Sequence, residues 1–251
     1  MANIATVKLG DLTQEKVQRW VNSLSKDKSP KTVANAHGLL SAVLGEYRPS
    51  LTLRTTLPQK IKPAIQIPSE AEIKAILTAA KGTKYELPII LAVWLGLRQS
   101  EILGLTWDCM DGDTIHIRQA IVMGEKGPVE KGTKTYSGTR DIHLPDYIKN
   151  LLADTPHHGN HIIQMSGKAI YSGFSRICEK AGVPHFRFHD LRHTNASVML
   201  ASGIPDKYNM KRMGHATNNM LKTTYQHTIK EKEAEYDKLI DSYFEDLMKP
   251  E

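Results

Sequence analysis

The chain has 251 residues and a formal net charge of +6, enough length for a sizeable core in one or two domains and enough positive charge to suit a polyanionic partner. Its two cysteines, Cys109 and Cys178, form no Cys-x-x-Cys pair, which argues against a disulfide scaffold or structural zinc site and for a reducing compartment. No apolar run reaches the length of a membrane span and no charged start precedes an apolar core, so a soluble, cytoplasmic protein without membrane partners is expected.

In chain order, LTQEKVQRWVNSL places Val17, Trp20, Val21 and Leu24 at helical spacing. Ser29-Pro30 then opens a second helix, the hydroxyl capping and the proline filling the first turn. That helix is expected to bury Val33, Ala36, Leu40, Val43, Leu44 and Tyr47. Pro58, Pro63 and Pro68 stiffen a linker over 58–68 that also carries Lys60 and Lys62. Ser69 and Glu72 have the spacing of a capping box, so a second domain starts there and runs over 69–251. Buried helices are expected near Leu87–Leu97 and Ser100–Leu105. Ile115 and Ile117 alternate with polar residues and pair with a strand at Thr139–Leu144, across a glycine-rich loop with a mobile tip. Helices dominate from Ile170 onward. Tyr236, Leu239, Ile240, Tyr243, Phe244 and Leu247 make an apolar stripe on a last helix, about 232–248. Charge is uneven: residues 1–67 hold ten Lys/Arg against four Asp/Glu, and residues 229–251 four against eight. A basic body with an acidic tail suits a DNA-binding surface and a tail that avoids DNA.

Three patches carry chemistry: GLRQSEILGLTW (96–107), HDLRHT (189–194) and MGHATNNMLKTTYQHT (213–228). Arg98 and Arg192 are permanent cations whose planar forks match phosphate oxygens. Histidines and lysines move or share protons, and the phenol of Tyr225 can act as a nucleophile. Together they describe covalent cleavage of a phosphodiester with no metal required. His157, His158 and His161 in PHHGNH superficially suggest metal binding. Their spacing is not a helical His-x-x-x-His pair and Gly-Asn marks a loop, so a solvated loop is expected.

An Arg-x-x-Glu at a helix start, a His-x-x-Arg-His and a Gly-His followed ten residues later by Tyr stand here in one order. In this the chain resembles the tyrosine recombinases, especially the integrases of phages and conjugative transposons. The resemblance implies a mainly α fold with a small antiparallel β-sheet (α+β), made of an N-terminal helical core-binding domain over 1–57 and a catalytic domain. The N-terminal domain looks short, as if an initial helix or an arm-type DNA-binding segment preceded it. Tyr225 would attack phosphorus to give a 3′-phosphotyrosyl bond, with Arg98, Arg192 and His215 on the phosphate and His189 as base or hydrogen-bond partner. Lys134 matches the general acid's position, with Lys131 and Lys126 close by as alternatives. Glu101 would orient Arg98 or pack structurally, and His193 would be structural. The implied activity is integration and excision of a mobile element without metal, ATP or other cofactor. The implied partners are double-stranded DNA at attachment or transposon-end sites, three further copies in a tetramer on that DNA, and accessory excision or DNA-bending proteins. The implied setting is the bacterial cytoplasm, at the nucleoid when DNA is bound.

Overall fold

The computed structural model describes residues 4–59, 66–132 and 138–214. Lys134, His215, Tyr225 and the C-terminal stripe lie outside the described residues. The chain divides into two compact units, residues 1–64 and 65–251.

The first unit is built on α1 (Gln14–Leu24) and α2 (Pro30–Tyr47). Thr13 caps α1 by accepting from the Lys16 amide, and Ser29 caps α2 by accepting from the Thr32 amide, with Pro30 in the first turn. Leu12, Val17, Val21, Val33 and Leu44 form its buried centre. The expected burial along α2 is corrected here: Val43 is exposed and Tyr47 is 72% exposed, as is Leu39 at 71%. Leu39, Val43 and Tyr47 recur every fourth residue and so share one face. Among the described residues of this unit α1 is the one other α-helix, so α2 is covered along a single narrow stripe. Side chains replace a third element. Arg48 Nη1 donates to the carbonyls of Leu9, Gly10 and Leu12. Gln14 and Gln18 accept from the Arg54 and Thr56 amides, which fastens the extended segment after α2 along α1.

The second unit is α+β, mainly helical. It runs α3 (Glu70–Ala80), α4 (Glu86–Trp94), α5 (Gln99–Leu103), β1 (Met110–Asp111), β2 (Thr114–Ile117), β3 (Gln119–Gly124), β4 (Gly127–Gly132), β5 (Arg140–His143), α6 (Asp146–Ala153), α7 (Gly167–Ala181), α8 (Phe188–Ala201) and α9 (Asp206–Met213). The capping box opens α3: Glu72 accepts from the Ser69 amide at 2.7 Å while Ser69 Oγ accepts from the Glu72 amide at 3.3 Å. Helix α4 is apolar on all sides because it is the centre of the unit, packed against α3, α5, α6 and α8. Leu91, Leu95, Ile102, Leu105, Ile115, Ile117, Phe174 and Leu191 join helices and sheet in one core.

Strands β1, β2 and β5 form an antiparallel sheet in that order, with Ile115 opposite Ile142 and Ile117 opposite Arg140. The expected pairing of the two strands is present, and the described part of the glycine-rich loop between them holds secondary structure that was not expected from the sequence. It folds back as a second ladder, β3 against β4, closed by Glu125-Lys126 between Gly124 and Gly127. Ile121, Val122 and Val129 supply the β-branched residues, and Pro128 is tolerated because a two-stranded ribbon has two open edges. Gly104 lets this ribbon approach α5: a Cβ there would lie 3.0 Å from Ala120 Cα and Gln119 O. Both cysteines are buried and free. No helix among the described residues is long and apolar enough to cross a membrane.

Candidate active site

Four segments of the second unit converge: the start of α5, the first turns of α8, the start of β5 and the end of α9. Arg98 is the N-cap of α5, and Glu101 on the first turn accepts from its backbone amide at 2.9 Å. The same carboxylate accepts from Arg98 Nη1 at 2.6 Å. Glu101 therefore both caps the helix and holds the guanidinium of Arg98. Its side chain is 3% exposed, and Arg98's is 34%.

A third arginine, passed over in the sequence, completes the carboxylate's surroundings. Arg140 on β5 donates from Nη2 to Glu101 Oε2 at 2.8 Å and from Nη1 to Oε1 at 3.1 Å, a two-pronged contact between fully buried groups. Arg192 Nη1 lies 3.9 Å from Glu101 Oε2. Burial pushes the Glu101 carboxyl up, but the hydrogen bonds and charge of Arg140, with the charges of Arg98 and Arg192, outweigh it and hold the pKa at about 2. Three guanidiniums around one carboxylate leave this cluster with two positive charges. A partial signal for Arg140 was available: in the strand expected at Thr139–Leu144 it shares a face with Ile142 and Leu144, and an inward-facing arginine must have a partner inside.

The end of α9 is bound to the same three cations. Arg140 Nε donates to the Arg212 carbonyl at 2.8 Å, Arg192 Nη2 donates to the Met213 carbonyl, and Arg98 Nη2 donates to the Gly214 carbonyl at 3.0 Å. A helix leaves its last carbonyls without intrahelical donors and its C-terminus partially negative, so cations there are doubly favourable. Gly214 ends the helix with φ +62, a left-handed turn suited to glycine. Arg192 is buried, and its other arm donates to the Gly96 carbonyl. Gly96, with φ +67, is required twice over: a Cβ would lie 2.7 Å from Asn195 Oδ1 and 2.7 Å from Met213 Sδ.

His189, on the first turn of α8, keeps an exposed edge. Packing around its ring, then the charges of Arg192 and Arg98, push its pKa below the ordinary 6.5. The ring is therefore neutral at neutral pH and able to accept a proton. His193 meets it edge-to-face with ring centroids 4.8 Å apart. Burial, then the neighbouring His189, lowers His193 to about 4. Asp190, between them, is buried and pairs with Arg187 at 2.7 Å.

The structure thus brings together Arg98, Glu101, His189 and Arg192, with Arg98 and His189 the more open and Arg192 beneath. Lys134, His215 and Tyr225 are outside the described residues, although Gly214 directly precedes His215. The PHHGNH histidines sit in a loop after α6, but not all are simply solvated. His157 stacks on Trp107 with centroids 3.5 Å apart, and His161 Nε2 lies 2.8 Å from Glu130 Oε1 on β4. Among the described residues no group of three His, Cys, Asp or Glu side chains is arranged to hold a metal ion.

Known proteins resemble this chain in sequence and in fold. The chain is 26% identical to a XerC-like tyrosine recombinase of Caldanaerobacter subterraneus subsp. tengcongensis, over 89% of this chain and 69% of the relative. It is 26% identical to a putative prophage phiRv2 integrase of Mycobacterium tuberculosis, over 94% of this chain and 68% of that one. Among solved structures, the Tn1549 transposon integrase in complex with transposon right end DNA superimposes with a TM-score of 0.76 at 20% identity, covering 93% of this chain and 87% of that one. A lambda integrase dimer bound to a COC' core site gives 0.64 at 19% identity, covering 87% and 81%. The model of the phage integrase family matches residues 68–232, well over half of the sequence. The chain belongs to the phage integrase family, the tyrosine recombinases.

Proposed function

We propose that this protein cuts and rejoins DNA at specific sites of a mobile element through a covalent phosphotyrosyl intermediate, with the cluster around Glu101 as its phosphate-binding floor. The observation that carries the reading is the doubly positive group of Arg98, Arg140 and Arg192 on one buried carboxylate, with the neutral ring of His189 beside it. Preorganised cations stabilise the charge gathering on the non-bridging oxygens in the transition state. Arg98, the most open of the three, is the first contact for the phosphate, and Arg192 and His215 complete the cradle.

In the proposed step the oxygen of Tyr225 forms a bond to phosphorus as the bond from phosphorus to the 5′-oxygen breaks. The phenolic proton passes to His189, and the leaving 5′-oxygen takes a proton from Lys134. Rejoining reverses each transfer. The energy of the phosphodiester stays in the phosphotyrosyl bond, so neither ATP nor a divalent ion enters the balance. Exchange between two duplexes takes four such sites, which supports a homotetramer on DNA. The first unit serves as the core-type DNA-binding domain and the segment about 232–248 as the oligomerisation helix, with accessory excision or DNA-bending proteins as additional partners. The setting proposed is the bacterial cytoplasm, at the nucleoid when DNA is bound.

The test is covalent trapping in EDTA on attachment-site DNA nicked beside the scissile phosphate, so that a short 5′-hydroxyl fragment diffuses away. A slow-migrating, protease-sensitive adduct is expected from the wild type and none from Tyr225→Phe, with both binding the DNA equally in a mobility shift. An adduct that persists in Tyr225→Phe removes Tyr225 from the mechanism. Binding with no adduct from either protein points to a DNA-binding regulator instead.

A further inference from the structure

We infer that Arg140 is a positioning residue for the reaction: it neutralises and orients Glu101 so that Arg98 stays available to the scissile phosphate, and it fixes the end of α9 to the same point. The inference rests on the reading of Arg98 as a phosphate ligand.

Arg140 does not itself reach a substrate, because its side chain is 2% exposed. All of its polar contacts above are internal, and one more is the donation from Nη1 to the Gly138 carbonyl at 3.2 Å. What it controls is the carboxylate. Glu101 has two oxygens, and Arg140 engages both, which fixes the plane of the carboxylate in a way that one lysine ammonium would not. Arg98 is held on the other side of the same group, at Nη1 and at its backbone amide. Without Arg140, a buried carboxylate would have Arg98 and Arg192 as its remaining cations and would draw both inward. The cluster's net charge would halve and Arg98 would turn from the open side. The Nε contact to the Arg212 carbonyl ties β5 to the last turn of α9, two residues before Gly214, whose carbonyl Arg98 holds. One buried guanidinium thus sets the origin of both the phosphate ligand and the chain leading to His215.

A neutral scissile group separates this role from simple support of the fold. In a methylphosphonate one charged non-bridging oxygen is replaced by methyl, so cationic stabilisation matters less. Cleavage of nicked duplexes with an ordinary phosphate or a methylphosphonate at the scissile position would be compared for full-length wild type, Arg98→Ala, Arg140→Lys and Arg140→Met. Melting temperature and DNA affinity would be measured for each. Arg98→Ala should lose about 100- to 1,000-fold on phosphate and far less on methylphosphonate. Arg140→Met should lose about 10- to 100-fold on phosphate, as a displaced ligand does, with the same relief on methylphosphonate and near-normal DNA affinity. Arg140→Lys should fall between it and the wild type. Equal losses on both substrates, or full activity of Arg140→Lys on both, would overturn the inference. Should Arg140→Met fail to fold, Arg140→Lys decides by the same comparison. Absence of relief for Arg98→Ala would instead refute the reading of Arg98, a result distinct from relief in Arg98→Ala but not in the Arg140 variants.

Discussion

Gly96 shows how little freedom single positions have around these arginines. Its φ of +67 disfavours any side chain, and a methyl group would meet Asn195 and Met213 at 2.7 Å. Strain and overpacking together predict that Gly96→Ala destabilises the protein by about 2–4 kcal/mol. A denaturation midpoint unchanged from wild type would refute the argument. Titration acts at the same scale. His193 is lowered to about 4 in the folded chain from an ordinary 6.5. Between those values the unfolded chain takes up a proton that the folded chain refuses, so its contribution to stability is complete above pH 6.5 and declines as pH falls towards about 4. Glu101, lowered from 4.5 to about 2, adds a second decline between those values. Urea midpoints measured from pH 8 to pH 3 should therefore fall in two stages. The lowered pKa of His189 predicts that the acid limb of cleavage has its midpoint below 6.5, where the ring becomes charged and can no longer accept a proton. An acid limb centred above 6.5 would exclude His189 as the base.

Elements differ in how closely they are fitted to their neighbours. Gly173 on α7 faces Tyr85 so closely that a Cβ would lie 2.1 Å from the ring, and Tyr85 is engaged by Arg176 at 2.9 Å. Gly173→Ala is expected to cost about 1–3 kcal/mol by overpacking, read as a lower melting temperature. The outer face of α2 is the opposite case. Leu39→Ser and Tyr47→Ser should each change stability by less than about 0.5 kcal/mol, because neither side chain is covered; a larger loss would mean that the face is covered in solution. These contrasts explain what could be read from the chain before its structure. Caps at Ser29 and Ser69 are local, short-range chemistry and were legible. The number of partners a helix has is a tertiary property, so periodicity correctly made α2 a helix and overestimated its burial. The β3–β4 ribbon was hidden for a similar reason, since glycines that signal a loop also permit a tight hairpin.

At the scale of the molecule, the family was legible because Arg98, Glu101, His189 and Arg192 stand in ordered patches. Arg140 was legible only in part: alternation with Ile142 and Leu144 turns it inward, but its partners appear only when β5, α5 and α9 meet. Assembly belongs to this scale as well. Removing residues 232–251 is expected to leave a folded protein that binds a half-site but no longer assembles cooperatively on a full site, as measured by native gel shift and light scattering. An unfolded product would assign that segment to the core of its own subunit. The three arginines that hold the Arg212, Met213 and Gly214 carbonyls have a further consequence. On the reading proposed above, two of them also meet the scissile phosphate, so occupation of the site and order at the end of α9 are two equilibria sharing the same ions. Such equilibria are reciprocal: whatever factor phosphate binding contributes to fastening that helix end, a loosened helix end must take from phosphate affinity. Hydrogen exchange at Met213 and Gly214 therefore offers a way to observe the active site being occupied, from a part of the backbone that takes no part in the chemistry.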